Sequence, residues 1–132
     1  MRRRDFLAFG FCYPALVFSG VKYPQVTSSH SLQFPRDHGA HPDYRQEWWY
    51  VTGWLKTARG DDLGFQITFF RTRLNSENNN PSSFTPRQIL LAHAALSDPK
   101  HGRLRHDERA ARTALGLAGS KEGNTEVWVD DW

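Results

Sequence analysis

The 132-residue sequence predicts an all-β domain built on an antiparallel sheet. Three observations lead there. Phe, Trp and Tyr make up 14% of the chain, with five Trp and nine Phe, a composition that suits strands and hydrophobic pockets better than a helical bundle. Runs of aromatic and branched residues at 47–56, 64–74 and 88–97 are separated by clusters of Gly, Asp, Asn and Pro. The hydrophobic share of 39% and the charged share of 23% belong to a chain that folds, and the length to one domain with a modest core.

Taken in order, residues 1–20 read as an export signal. Arg2, Arg3 and Arg4 precede an apolar stretch that runs to about Gly20 and is broken by Pro14. At ~15 residues it is too short to cross a hydrocarbon core of ~30 Å, so no stable transmembrane span is expected. Arg3-Arg4-Asp5-Phe6-Leu7 resembles the twin-arginine address that directs folded proteins out of the bacterial cytoplasm, which predicts a periplasmic or secreted protein. Ser19 before Gly20 offers a cleavage point, and Cys12 lies within the apolar run. As the single cysteine, Cys12 also excludes an intrachain disulfide and a cysteine-based zinc cluster.

Residues 21–46, rich in Ser, Pro, His and Asp, form an extended lead-in without period. Glu47 to Lys56 is a strand in which Trp49, Val51, Gly53 and Leu55 share one face and Trp48, Tyr50, Thr52 and Trp54 the other. Ala58 to Asp62 turns the chain, with Gly60 free to take a positive φ. In the return strand, Gly64 to Leu74, Phe65, Ile67 and Phe69 point one way and Gln66, Thr68 and Phe70 the other. A face that mixes aromatic and polar groups suits the interior of a ligand-holding barrel, and a sandwich with one solvated face suits the pattern nearly as well. Asn75 to Pro86 is a long loop, and Gln88 to Ser97 a third strand ended by Asp98-Pro99. Asp107 to Leu117 reads as one short helix, with Asp107 as N-cap, Ala110, Ala111 and Ala114 inside it, and Gly116 and Gly119 to stop it. Thr125 to Val129 resumes strand character, leaving a sheet edge that predicts further chain to cover it.

Net charge is +3, but without residues 1–20 the body carries fourteen positive against thirteen negative side chains, scattered rather than gathered on a face. A nucleic-acid partner is therefore not expected.

Phe34-Pro-Arg-Asp-His38-Gly-Ala-His41-Pro-Asp-Tyr-Arg-Gln-Glu47-Trp-Trp-Tyr50, Thr52-Gly53, Gly64 to Arg71, Ala92 to Asp98, Arg109 to Gly119 and Val127 to Trp132 follow one another at compatible spacing. Over residues 34–132 the chain resembles the amino-terminal domain of the hydroxyneurosporene synthase (carotenoid 1,2-hydratase) family, with its secreted predicted-hydrolase and attachment-protein relatives. That resemblance implies the first of two lipocalin-like β-barrels, represented by a partial domain over 47–132, with the second barrel of the same chain as its partner. It implies an extended hydrophobic or isoprenoid ligand, hydration of a C=C bond without any cofactor as the candidate activity, and a non-catalytic carrier or a secreted hydrolase as alternatives.

Hydrating such an alkene passes through a carbocation, so the site needs a carboxyl kept neutral and aromatic walls that tolerate positive charge. Glu47 beside Trp48, Trp49 and Tyr50 is the candidate acid, although a Glu at a strand start is also explained by solvation or by pairing with an Arg such as Arg45. His93 is the second catalytic candidate; it needs a hydrogen-bond partner, with Gln66 or Thr68 across the sheet, whether it orients a water or only packs. Trp48, Trp49, Tyr50, Trp54, Gln66, Thr68 and Phe70 are the candidate pocket lining, and an ordinary small core would also explain the aromatics. His38 and His41 are three apart but sit in a loop without ligand geometry, so no metal site is assigned and a structural loop closing the barrel end is preferred. Arg71 and Arg73 are expected to pair with Asp61 and Asp62 or to grip an acidic head group. No Gly-x-Ser-x-Gly motif supports hydrolysis.

Overall fold

A computed structural model describes residues 23–74 and 81–132. The expected export signal over residues 1–20, with Cys12, and the Asn-rich part of the expected loop lie outside the described residues.

The predicted sheet is present: β1 (Gln46–Lys56), β2 (Asp62–Arg73), β3 (Gln88–Ser97) and β4 (Leu104–Arg112) run antiparallel in the order β1-β2-β3-β4. A two-stranded hairpin, β5 (Ala118–Ser120) with β6 (Val127–Val129), lies beside it, and a 3₁₀ turn at Arg36–His38 is the helical element among the described residues. Two-residue alternation and short turns explain the meander. Between β1 and β2 the Thr57 amide donates to the Asp61 carbonyl at 2.9 Å and Gly60 takes φ +88°, where a Cβ would be strained. Between β3 and β4, the Asp98 side chain accepts the Lys100 amide at 2.9 Å and its carbonyl accepts the His101 amide at 3.0 Å.

The helix expected over Asp107–Leu117 is replaced by β4 and the turn that follows it. Helix propensity distinguishes Ala from most residues by only a few tenths of a kcal/mol, whereas β3 is rich in aliphatic residues and would leave an edge of unpaired amides and carbonyls without a neighbour. Residues 104–112 pair along that edge from Ser97↔Leu104 to Ile89↔Arg112. Asp107 caps no helix; its carboxylate accepts the next amide, that of Glu108, at 2.9 Å.

The register gives the sheet two unlike faces. The core face carries Leu90 and Ala92, which pack with Ala118 and Val129 of the hairpin into the buried cluster, flanked by Phe69, Ala111, Val127 and Trp132. The lead-in is stitched to the same hairpin: the Ala40 amide donates to the Lys121 carbonyl at 2.8 Å, and a Cβ on Gly39 would stand 2.5 Å from that oxygen. On the open face Trp48, Tyr50 and Trp54 are 59%, 62% and 83% exposed. The described strands form no closed barrel, so the fold is an incomplete lipocalin-like one: β1 and β4 are the outer strands of the sheet.

Candidate functional site

Directly opposed residues share a face, so the open face reads as four rungs across β1, β2, β3 and β4. The first is Trp48, Phe70, Leu91 and Ala110; the second Tyr50, Thr68, His93 and Glu108. The third is Thr52, Gln66, Ala95 and His106; the fourth Trp54, Gly64, Ser97 and Leu104. Six of the seven residues expected to line a pocket, Trp48, Tyr50, Trp54, Gln66, Thr68 and Phe70, thus stand together. Trp49 does not. It lies on the core face opposite Phe69, in a groove at the β1 side that Thr125 and Val127 also line.

Within the stripe, Gln66 Nε2 donates to Thr68 Oγ1 at 3.1 Å, and Thr68 is buried among its taller neighbours. His93 meets the Phe70 ring edge-on at 5.7 Å and stands 3.6 Å from the Glu108 carboxylate. Its neighbour is therefore Glu108 on β4, where Gln66 or Thr68 was expected; Thr68 lies directly across from it in register but is engaged by Gln66. Nor is His93 a core residue, since nearly half of its side chain is exposed. Beside Trp54 and Gln66 a cleft of about 440 Å³ opens, lined also by Thr52, Ala95, Ser97 and Leu104, which is a volume suited to small-molecule sites.

Glu47 and His93 are not brought together: Glu47 lies on the core face, opposite Arg71. Its carboxylate accepts the His41 amide at 2.9 Å, approaches His41 Nδ1 at 2.6 Å, and accepts Arg71 Nη2 and Nε at 3.1 and 3.3 Å. Arg71, 1% exposed, also donates to the carbonyls of His41 at 2.8 Å and Tyr44 at 3.2 Å. His41 Nε2 in turn faces Asp37 at 3.2 Å. With a carboxylate on each ring nitrogen, His41 is a strut between strand and lead-in, and Glu47 foremost, then Asp37, raise its pKa against the opposing effect of burial. Arg36 chiefly, with the Gln33 amide, holds the Asp37 carboxyl far below the usual carboxylate range.

This arrangement corrects the expected pairings. Glu47 is paired with Arg71 rather than Arg45; Asp61 and Asp62 meet Lys100 and Lys56, and Arg73 reaches the Pro42 carbonyl. His38 packs its ring against Phe34 at 4.4 Å. Sequence reasoning missed Glu108 because Asp107 to Leu117 reads as helix, and left His106 unassigned in the connection before it; residues 104–112 carry no apolar–polar alternation that would have placed either on a strand face.

An open antiparallel wall with a continuous aromatic and hydrogen-bonding face defines a lipocalin-like class of protein. The chain belongs to the AttH-like family, which it matches over residues 25–132. A solved structure from Nitrosomonas europaea, described as an AttH, is 52% identical and superposes with a TM-score of 0.68, over 83% of this chain and 32% of its own. The present chain thus spans about a third of that relative's length. No curated protein matches the sequence. No helix among the described residues is long and apolar enough to cross a membrane.

Proposed function

We propose that this chain forms one wall of an exported, two-barrel AttH-like protein, and that it holds an extended hydrophobic or isoprenoid molecule along its open face. The observation that carries this reading is the stripe itself: Trp48, Tyr50 and Trp54 remain more than half exposed in a register that sets Trp48 opposite Phe70 and Tyr50 opposite Thr68, with the Thr52–Gln66 pair between Tyr50 and Trp54. Exposed apolar side chains also stand on the far half of the core face, Val51, Leu55 and Ile67 among them; what sets the open face apart is that its aromatics are interleaved with hydrogen-bonding groups, as in a ligand site. Binding without catalysis accounts for all of these residues.

Hydration of a C=C bond is the second reading, drawn from the likeness to carotenoid 1,2-hydratases. For a ligand on the stripe, the adjacent acid–base groups are His93 and Glu108, 3.6 Å apart, while Glu47 serves Arg71 on the opposite face.

Titrating the full-length protein with a polyene such as lycopene, followed by tryptophan fluorescence, tests the main reading. Trp54→Ala and Tyr50→Ala are each expected to weaken binding about tenfold, consistent with ~1–3 kcal/mol for a buried side chain. Wild-type affinity in both variants removes the stripe from ligand binding. Accumulation of a hydrated product that disappears in Glu108→Gln supports the hydratase reading.

A further inference from the structure

The order of the rungs, rather than their aromatic content, carries information about the ligand. The first rung, Trp48, Phe70, Leu91 and Ala110, is wholly apolar, and in the fourth only Ser97 is polar. The two rungs between them hold Tyr50, Thr68, His93, Glu108, Thr52, Gln66 and His106, with Ala95 as the one apolar member. At about 3.3 Å per residue the stripe is roughly 20 Å long from Trp48 to Trp54, with its polar middle beginning about 7 Å from the Trp48 end.

We infer that the ligand held here is an amphiphile with an uncharged oxygen function, a hydroxyl or carbonyl, seated on the Tyr50–Thr68–His93–Glu108 rung, and not a plain hydrocarbon. The inference rests on the binding role proposed above and narrows it. A hydrocarbon laid along the stripe strips water from the middle rungs and returns no hydrogen bond, a cost that grows with each group left unpaired. The Thr52 hydroxyl already donates to the Phe65 carbonyl at 3.1 Å, but the second rung has capacity to spare. At 3.6 Å His93 and Glu108 are beyond hydrogen-bond distance, so each can still engage a ligand. Thr68 accepts from Gln66 and keeps its own hydroxyl proton to donate. An anionic head is disfavoured, because the rung contains a carboxylate and no Lys or Arg.

Farnesol and farnesene, which share one isoprenoid skeleton with and without a hydroxyl, provide the test with the full-length protein and fluorescence titration. Farnesol is expected to bind at least tenfold more tightly. The exposed pair His93→Leu with Glu108→Leu, which leaves Tyr50 and Thr68 to engage the oxygen, should lower the ratio at least threefold, while His93→Gln with Glu108→Gln, which keeps hydrogen-bonding capacity, should preserve it. Equal affinities for the two probes in the wild type, or a preference undiminished in the Leu pair, overturn the inference and leave the hydrophobic site standing. Binding of neither probe, nor of the polyene, overturns the site itself.

Discussion

Arg71 shows how one side chain is fixed by what it must satisfy. Withdrawn from water, its guanidinium is held by Glu47, which supplies the opposite charge, and by the carbonyls of His41 and Tyr44, which accept further hydrogen bonds from Nη2, while Nη1 is left without a partner. Removing the carboxylate by Glu47→Ala is expected to cost about 3–5 kcal/mol, read from the urea midpoint, since it strands a buried cation. His41 adds a pH dependence. Its folded value lies above the ordinary 6.5, so this contribution is complete below about pH 6.5 and lost as pH rises through the raised value. Asp37 works in the opposite direction, its contribution being complete above the ordinary 3.8 and lost only in strong acid. Wild-type stability should therefore decline on the alkaline side, a slope that His41→Gln should lack when unfolding is followed across pH. None of this cluster was legible in the sequence, because Glu47 meets Arg71 across 24 positions and no local period connects a loop histidine to either.

At the scale of elements, β1 and β2 were legible from their aromatic and branched residues with two-residue alternation in 47–56 and 64–74, and β3 as an apolar run over 88–97 ended by Asp98-Pro99. The same alternation placed Trp48, Tyr50 and Trp54 on one face and set Trp49 apart. β4 was not legible. Its Ala pair and leading Asp are local helix signals, and the deciding influence, the unpaired edge of β3, is visible only in three dimensions. In the hairpin, Gly119 lies beneath the Trp128 indole, where a Cβ would come within 2.5 Å of Cζ2. Trp128 is also held by its Nε1 donating to the Gly116 carbonyl at 3.1 Å. Gly119→Ala is accordingly expected to destabilise by about 1–3 kcal/mol, the usual cost of overpacking, with the loss visible as a lower thermal midpoint.

For the molecule as a whole, the buried cluster is small beside the apolar surface left bare. Val51, Leu55 and Ile67 on the far half of the core face are 61%, 47% and 41% exposed, in addition to the open-face aromatics. Such surface fits our proposal that the second barrel and a ligand complete the protein. The proposed export is a property of the whole chain as well. Replacing Arg3 and Arg4 together by Lys is expected to abolish periplasmic accumulation, assayed by fractionation, and undiminished periplasmic protein would count against the twin-arginine assignment.

The seam between Ala40 and Lys121 joins positions remote in sequence, whereas the four strands of the sheet are joined by successive antiparallel pairings. Distant partners meet late, because the intervening polypeptide must first be brought to order. The meander can therefore assemble as a nascent scaffold while the lead-in still swings free, and fastening of Gly39 against the hairpin becomes the closing event of maturation. Amide exchange at Ala40 reports that event, since protection there should lag behind protection in β2 during refolding.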